Sequence, residues 1–355
     1  MTPMMNLFLR FVAALVLAVL MLSLSDYALA ANPLPEGAHN VLDTMGPQAG
    51  HILDLWRVFL YLCCAVFALI LLALLYFLRR QPRGDAGTPP ELGFVDAPEP
   101  APRRHVTRAV IASTLGLVAL IVASVFTDRA LARLPLTGAV NIDVTGHQWW
   151  WTARYRNGGP DEEFNTANEL VVPVGKPVIV NLKSDDVIHS MWLPNLAGKK
   201  DLIPGRSASL QFRADKPGVY RGQCVEFCGL QHAQMTLHVF AVPQEQFDAW
   251  VQGQRQPAAE PADPRAQRGK QLFQSVSCAM CHAVQGTLAG AQRGPDLTHV
   301  ASRKTLAAGA LPNTPEDLAA WIRNPQLYKP GSSMPATPLS QEDLDAIVAY
   351  LGGLK

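Results

Sequence analysis

The chain has 355 residues with a formal net charge of +1, 49% of them hydrophobic and 17% charged. That length allows two or three domains, and the balanced charge, with no basic run, offers nothing to a nucleic acid. The apolar excess sits in three N-terminal blocks, and the rest has the composition of ordinary soluble protein.

The first block, Phe11 to Met21, has Arg10 before it and Ala28-Leu29-Ala30 after it. A short apolar core, a preceding positive charge and a small-residue cleavage site read as a signal peptide over residues 1–30, the alternative being a third membrane helix. The second block, Val58 to Leu78, is 21 residues without a charge, and at ~1.5 Å per residue it crosses a ~30 Å hydrocarbon core. The third, Ala109 to Phe126, has 18 residues interrupted only by small residues, Ser and Thr. These predict a two-helix membrane hairpin over residues 31–135, with spans at about 56–78 and 107–127. Arg79, Arg80, Arg83, Arg103, Arg104 and Arg108 flank the connection. Basic residues stay on the cytoplasmic side, so the large C-terminal part is expected on the periplasmic side or its equivalent, and the chain to be a multi-pass membrane protein.

From 136 to 252 the pattern changes to short alternating apolar runs, such as Asn141 to Thr145, Leu170 to Val172, Val178 to Leu182, Ser209 to Phe212 and Met235 to Phe240. Turns at Pro173-Val174-Gly175, Pro204-Gly205 and Pro217-Gly218 separate them, which predicts an all-β Greek-key barrel or sandwich. A short helix, Gln244 to Val251, closes this part, and the Pro- and Ala-rich stretch 253–264 reads as a linker. Residues 265–355 are predicted all-α. Helices are expected over Arg265 to Gln274, over Glu316 to Arg323 behind a Thr314 cap, and over Glu342 to Leu351 behind a Ser340 cap with Gly352 as its stop.

Of the six cysteines, Cys63 and Cys64 lie mid-membrane and read as small apolar side chains. The other four form two close pairs with His and Met nearby, a pattern that favours metals over disulfides. Cys278-Ala279-Met280-Cys281-His282 is the haem-attachment pattern C-x-x-C-H, in which two thiols add to the haem vinyl groups and His282 becomes the proximal ligand. Met334 lies 52 residues beyond His282, before the final helix, and His with Met gives a six-coordinate iron suited to electron transfer. Met280 is too close to the motif to reach the other face, and His299 reads as a surface or propionate-side residue. With Arg293-Gly294-Pro295-Asp296-Leu297, this region resembles the class I cytochrome c domain. That resemblance implies that the Pro295 carbonyl accepts a hydrogen bond from the other nitrogen of His282.

Cys224, Glu226, Cys228, His232 and Met235 fall within one short run. Thiolate, imidazole and thioether together favour copper. Two thiols four residues apart can bridge two copper ions, each then needing one imidazole and one weak ligand. His232 and His189 supply the imidazoles, with Met235 and the Glu226 carbonyl as weak ligands. A zinc site of Cys224, Cys228, His189 and His232, or a Cys224–Cys228 disulfide, are the alternatives.

His189-Ser190-x-Trp192-x-Pro194, Asp201-x-x-Pro204-Gly205, the Cys224 to Met235 run and Gly146 to Trp151 together resemble the binuclear copper domain of cytochrome c oxidase subunit II. With the haem domain, the likeness covers nearly the whole chain beyond the leader and is that of the caa3-type oxidases. It implies a cupredoxin-like fold, a place beside oxidase subunits I and III in the lipid membrane, and cytochrome c or an upstream cytochrome complex as electron donor. It also implies that the Glu226 carboxylate faces a magnesium or manganese ion at subunit I, and that Trp149 is the residue through which electrons arrive. Oxygen reduction to water and proton translocation would lie on subunit I. Trp150 and Trp151 read as strand packing, His147 and His238 as core or surface residues, and Asp201 as a structural partner of the copper loop. One departure stands out: the family's carboxylate near the start of the second membrane helix is replaced here by Arg103 to Val110. Glu91 and Glu99 lie upstream of it in the loop.

A subunit feeding a nitric oxide reductase, or a copper-delivery protein, would be the competing readings. The complete ligand set and the fused haem motif oppose the second. Residues 139–256 carry 11 Lys and Arg against 12 Asp and Glu, so the domain has no strong field to steer a charged donor. Tethering by the linker would instead bring the haem to the copper at a local concentration on the order of millimolar.

Overall fold

A computed structural model describes residues 40–80, 87, 100–156, 158, 159 and 162–355. The expected signal peptide, and Glu91 and Glu99, lie outside the described residues.

Two helices, α1 (Pro47–Arg80) and α2 (Pro100–Leu131), are each long and apolar enough to cross a membrane. Their side chains face outward all round, among them Phe67, Leu72, Phe77, Leu115, Ile121 and Phe126. Lipid, not water, suits such a surface. The polar interruptions of α2 are neutralised within the helix itself. Thr114 and Ser124 each donate their hydroxyl to the carbonyl four residues back, on Val110 and Leu120, at 2.9 Å. A hydroxyl that bonds its own backbone needs no water.

The β region folds as two five-stranded sheets. The first is ordered β3 (Phe164–Ala167), β2 (Trp150–Tyr155), β1 (Val140–His147), β5 (Pro177–Ser184), β8 (Ala208–Arg213). The second is β4 (Glu169–Pro173), β10 (Thr236–Val242), β9 (Gly218–Cys224), β6 (His189–Trp192), β7 (Lys199–Leu202). Alternate residues point inward, as on β1 where Ile142 and Val144 are buried. They meet Val180, Leu182, Phe212, Leu170, Val172, Leu237 and Val239 in one shared core. This is a cupredoxin-like sandwich. The chain leading into α1 is tied to it: the Asn195 amide donates to the carbonyls of Asn40 and Asp43, each at 2.9 Å.

The helix after the last strand, α3 (Gln244–Gln254), runs one turn longer than its apolar pattern indicated. Phe247 and Trp250 are what hold it on the sandwich, Trp250 meeting Tyr155 and Phe164 edge-on. The segment after it lies against the cytochrome domain, where the Ala258 amide donates to the Gln285 carbonyl at 3.0 Å.

The helical domain contains α4 (Pro264–Ser275), α5 (Pro315–Arg323) and α6 (Gln341–Gly352), with a two-stranded pairing of β11 (Thr305–Leu306) and β12 (Leu311–Pro312). Thr314 and Ser340 cap α5 and α6 by accepting from the Asp317 and Asp343 amides, both at 3.1 Å. Gly352 still belongs to α6; the residue that closes it is Gly353. The core is Phe273 against Tyr350, with Leu318, Ile322, Leu344 and Ile347. His299 is buried, not at the surface, and its two nitrogens lie 2.7 Å and 3.1 Å from the carbonyl oxygens of Lys355 and Gln256.

Candidate metal centres

Strand register assembles the first centre. Met191 on β6 pairs with Cys224 at the end of β9, so His189, two residues earlier, stands beside the loop that leaves Cys224. The Val225 amide donates to the Ser190 carbonyl at 3.0 Å and extends that pairing into the loop. Asp201 acts on the same place from β7, accepting the Ser190 hydroxyl at 2.7 Å. The loop returns through His232 to Met235, whose carbonyl accepts from the Cys224 amide at 3.0 Å.

Six groups thereby converge. The Cys224 and Cys228 sulfurs are 3.8 Å apart, too far for a disulfide bond of ~2.05 Å. His189 Nδ1 lies 3.8 Å from Cys224 Sγ, and His232 Nδ1 lies 3.6 Å from Cys228 Sγ. The Glu226 carbonyl oxygen is 3.3 Å from Cys224 Sγ, and Met235 Sδ is 3.9 Å from Cys228 Sγ. Each thiol thus has one imidazole and one weak donor, which fits a pair of soft metal ions bridged by sulfur. His232, Met235 and the Glu226 carbonyl extend the close group of His189, Cys224 and Cys228. The Glu226 side chain itself is exposed.

The electrostatics prepare the thiols for metal. Two sulfurs in contact cannot both ionise easily. Interaction with Cys228, against the opposing effect of burial and helped by His189, pushes the Cys224 thiol down to about 4. The neighbouring Cys224 charge, with burial, pushes the Cys228 thiol up. A bound cation removes that opposition. Burial alone would lower the pKa of His189, but its bonds to Cys224 and Asp186 outweigh this and raise it.

Asp186 was not legible in sequence. Its Oδ1 lies 2.7 Å from His189 Nε2, and its Oδ2 accepts the Gln148 amide at 2.6 Å. One carboxylate therefore orients the imidazole and anchors the turn between β1 and β2, which carries a cis peptide between Gln148 and Trp149. From that turn, the Gln148 side-chain amide and the Trp149 indole both donate to the Cys228 carbonyl, at 2.7 Å and 2.9 Å. Gly146 is required here because a Cβ would sit 2.9 Å from the His189 ring. Trp151 is wholly buried in the core, and Trp150 stacks on His147 with ring centroids 4.3 Å apart. His147 lies 2.9 Å from the Thr152 hydroxyl. Orienting carboxylates of this kind are worth 10–100-fold in metal affinity. Asp186→Ala is therefore expected to weaken copper binding by about that factor, read by competitive titration, with the sandwich still folded.

The second centre is built on the short helical turn Ser277–Met280. The His282 amide donates to the Cys278 carbonyl at 3.0 Å, closing the turn that places both thiols and the imidazole together. His282 Nδ1 donates to the Pro295 carbonyl at 2.8 Å, leaving Nε2 as the free lone pair. Burial lowers the pKa of His282 and favours the neutral ring a ligand needs. Gly294 passes over that ring so closely that a Cβ would lie 2.7 Å from Cε1. Cys278, Ala279, Leu297 and Leu339 remain half-buried around the core, the apolar lining that a haem face would cover. The loop bearing Met334 is held by the Gln326 amide, which donates to the Ser332 and Met334 carbonyls at 2.9 Å and 3.0 Å. Met280 is exposed.

A membrane-anchored cupredoxin-like domain with paired thiols, fused to a cytochrome c domain, defines an electron-transfer component of a respiratory membrane. Residues 157–242 match the family of the cytochrome c oxidase subunit II periplasmic domain, and residues 266–355 match the cytochrome c family. Cytochrome c oxidase subunit 2 of Alkalihalophilus pseudofirmus is 38% identical over 324 residues, covering 88% of this chain and 90% of that one. The chain belongs to the cytochrome c oxidase subunit 2 family. The corresponding protein of Bacillus sp. (strain PS3) is 37% identical over 61% of this chain and 62% of its own. Among solved structures, the periplasmic domain of subunit II of cytochrome oxidase of Bradyrhizobium japonicum is 34% identical. It covers 33% of this chain and 93% of its own, with a TM-score of 0.31. The chain is thus a subunit of a haem-copper terminal oxidase of the inner membrane, with periplasmic domains, a copper centre and a haem.

Proposed function

We propose that this chain carries electrons one at a time from its own haem c, through a binuclear copper centre, to subunit I. The observation that supports the copper half is the two sulfurs 3.8 Å apart, each with an imidazole nitrogen at 3.6 to 3.8 Å. Cys224, Cys228, His189 and His232 would hold the copper pair, with Met235 and the Glu226 carbonyl as weaker donors. When bound, the copper pair supplies a one-electron couple spread over two ions. The protein's part is to keep that geometry fixed between redox states. Asp186 holds His189, while Gln148 and Trp149 hold the Cys228 carbonyl, so the loop has little freedom to relax.

In the cytochrome domain, Cys278 and Cys281 would attach the haem, and His282 and Met334 would hold its iron. Pro295 fixes the His282 tautomer. With both residues engaged, the haem would supply electron transfer and not substrate chemistry. Trp149 is the side chain through which electrons reach Cys228. The Glu226 carboxylate is exposed beside the centre and would be free to hold magnesium or manganese at subunit I. Subunit III and membrane lipid complete the surroundings of the two spans, and cytochrome c or an upstream cytochrome complex is the donor.

The test is a set of spectra on the detergent-purified full chain. A low-spin haem c band, a mixed-valence two-copper EPR pattern and a near-infrared copper band are expected together. A protein that takes up only zinc, with no copper signal after reconstitution, would sink the copper assignment.

A further inference from the structure

Lys329 is a charged residue in a place charges avoid. It is 3% exposed, at the seam between the sandwich and the cytochrome domain. Its Nζ donates to three carbonyls: Trp149 at 2.7 Å, Gln234 at 2.9 Å and Ala307 at 3.0 Å. The first two belong to the sandwich and the third to the cytochrome domain. Three N–H donors thus meet three acceptors, the full capacity of an ammonium. Burial lowers its pKa to about 7, against the opposing pull of the nearby Cys228 thiol.

A second buried charge closes the same seam from the other side. Glu169 on β4 accepts from the Lys304 and Thr305 amides of the cytochrome domain at 2.8 Å and 3.0 Å. The Thr236 backbone amide also donates to the Ala308 carbonyl at 3.1 Å, and the Gln231 side-chain Nε2 to the Pro330 carbonyl at 2.8 Å. Gly331 comes next in the chain. A Cβ there would lie 2.9 Å from Leu230 and 3.6 Å from the indole of Trp149, and its φ of 86° suits glycine. The loop that carries Met334 therefore touches Trp149, whose indole in turn donates to the Cys228 carbonyl.

We propose that the cytochrome domain is docked in a fixed seat on the copper domain, with Lys329 and Glu169 as the positioning residues that hold the Met334 loop against Trp149. This rests on the electron route proposed above. His282 and Met334 would hold the iron that gives up one electron, and Cys224 and Cys228 the copper pair that would take up that same electron.

The test uses the full chain in detergent and the assembled oxidase. Lys329→Met keeps the stem and removes the donors. Hydrogen exchange at Thr236, Lys304 and Thr305 is expected to rise by about tenfold or more, the factor that one lost hydrogen bond to a charged group represents. Amides of α6 should exchange as before, because the cytochrome core is untouched. In the oxidase, flash-injected electrons should move from haem to copper about tenfold more slowly, and the rate should become dependent on solvent viscosity as docking turns into a search. Unchanged seam exchange with unchanged transfer overturns the proposal. If α6 also loses protection, Glu169→Leu decides by the same two readouts. A wild-type protein lacking the haem or copper spectra would instead count against the electron route itself.

Discussion

Cys228→Ser is expected to abolish the near-infrared copper band and to lower oxygen uptake by the assembled oxidase more than about 100-fold, beyond the 10–100-fold that supporting residues alone command. Cys228 is the hub of the site: its sulfur lies 3.8 Å from Cys224, 3.6 Å from His232 and 3.9 Å from Met235. A hydroxyl in its place is a hard donor that does not bridge two coppers. One copper at most would remain on Cys224 and His189, with an EPR pattern of a single ion. The haem band should be unaffected, because the two centres are held by separate cores. A variant that kept the two-copper pattern would show that the bridging role had been assigned to the wrong residue.

Gly269→Ala should unfold the cytochrome domain far more readily while leaving the sandwich intact. Gly269 sits on α4 where it crosses α6, and a Cβ there would overlap the Ala346 carbonyl oxygen, with the Ala346 carbonyl carbon at 2.6 Å and Tyr350 Cβ at 2.8 Å. Backbone cannot step aside as a side chain can. Overpacking of this kind costs about 3 kcal/mol, the upper part of the usual range. The measurement is thermal unfolding of the full chain, followed by loss of the haem band for one domain and of the copper band for the other. An unshifted haem transition would mean that α4 and α6 can separate without penalty.

The range of each interaction decided whether sequence revealed it or hid it. Thr314 and Ser340 were legible as caps because a cap and its amide are three residues apart. The gathering of Cys224, Cys228, His232 and Met235 was legible because they share one loop, and that of Cys278, Cys281 and His282 because their motif is contiguous. Asp186 was harder. It lies only three residues before His189, yet its second bond is to Gln148, which only the pairing of β1 and β5 brings near. Lys329 was hidden altogether, since its three acceptors are backbone oxygens scattered over the chain and carry no residue-type signal. Glu169 is a similar case, an acidic residue opening a strand, whose partners lie 135 and 136 positions away. The stretch 253–264 read as a free tether because Pro and Ala dominate it. Its docking through the Ala258 amide is a backbone contact of the same invisible kind.

The small seat around His282 bears on how this domain is made. Pro295 fixes one nitrogen and Gly294 leaves the ring no room to swing. The imidazole is therefore held in one orientation by its own domain, and little rotational freedom would remain for it to lose on binding a haem iron.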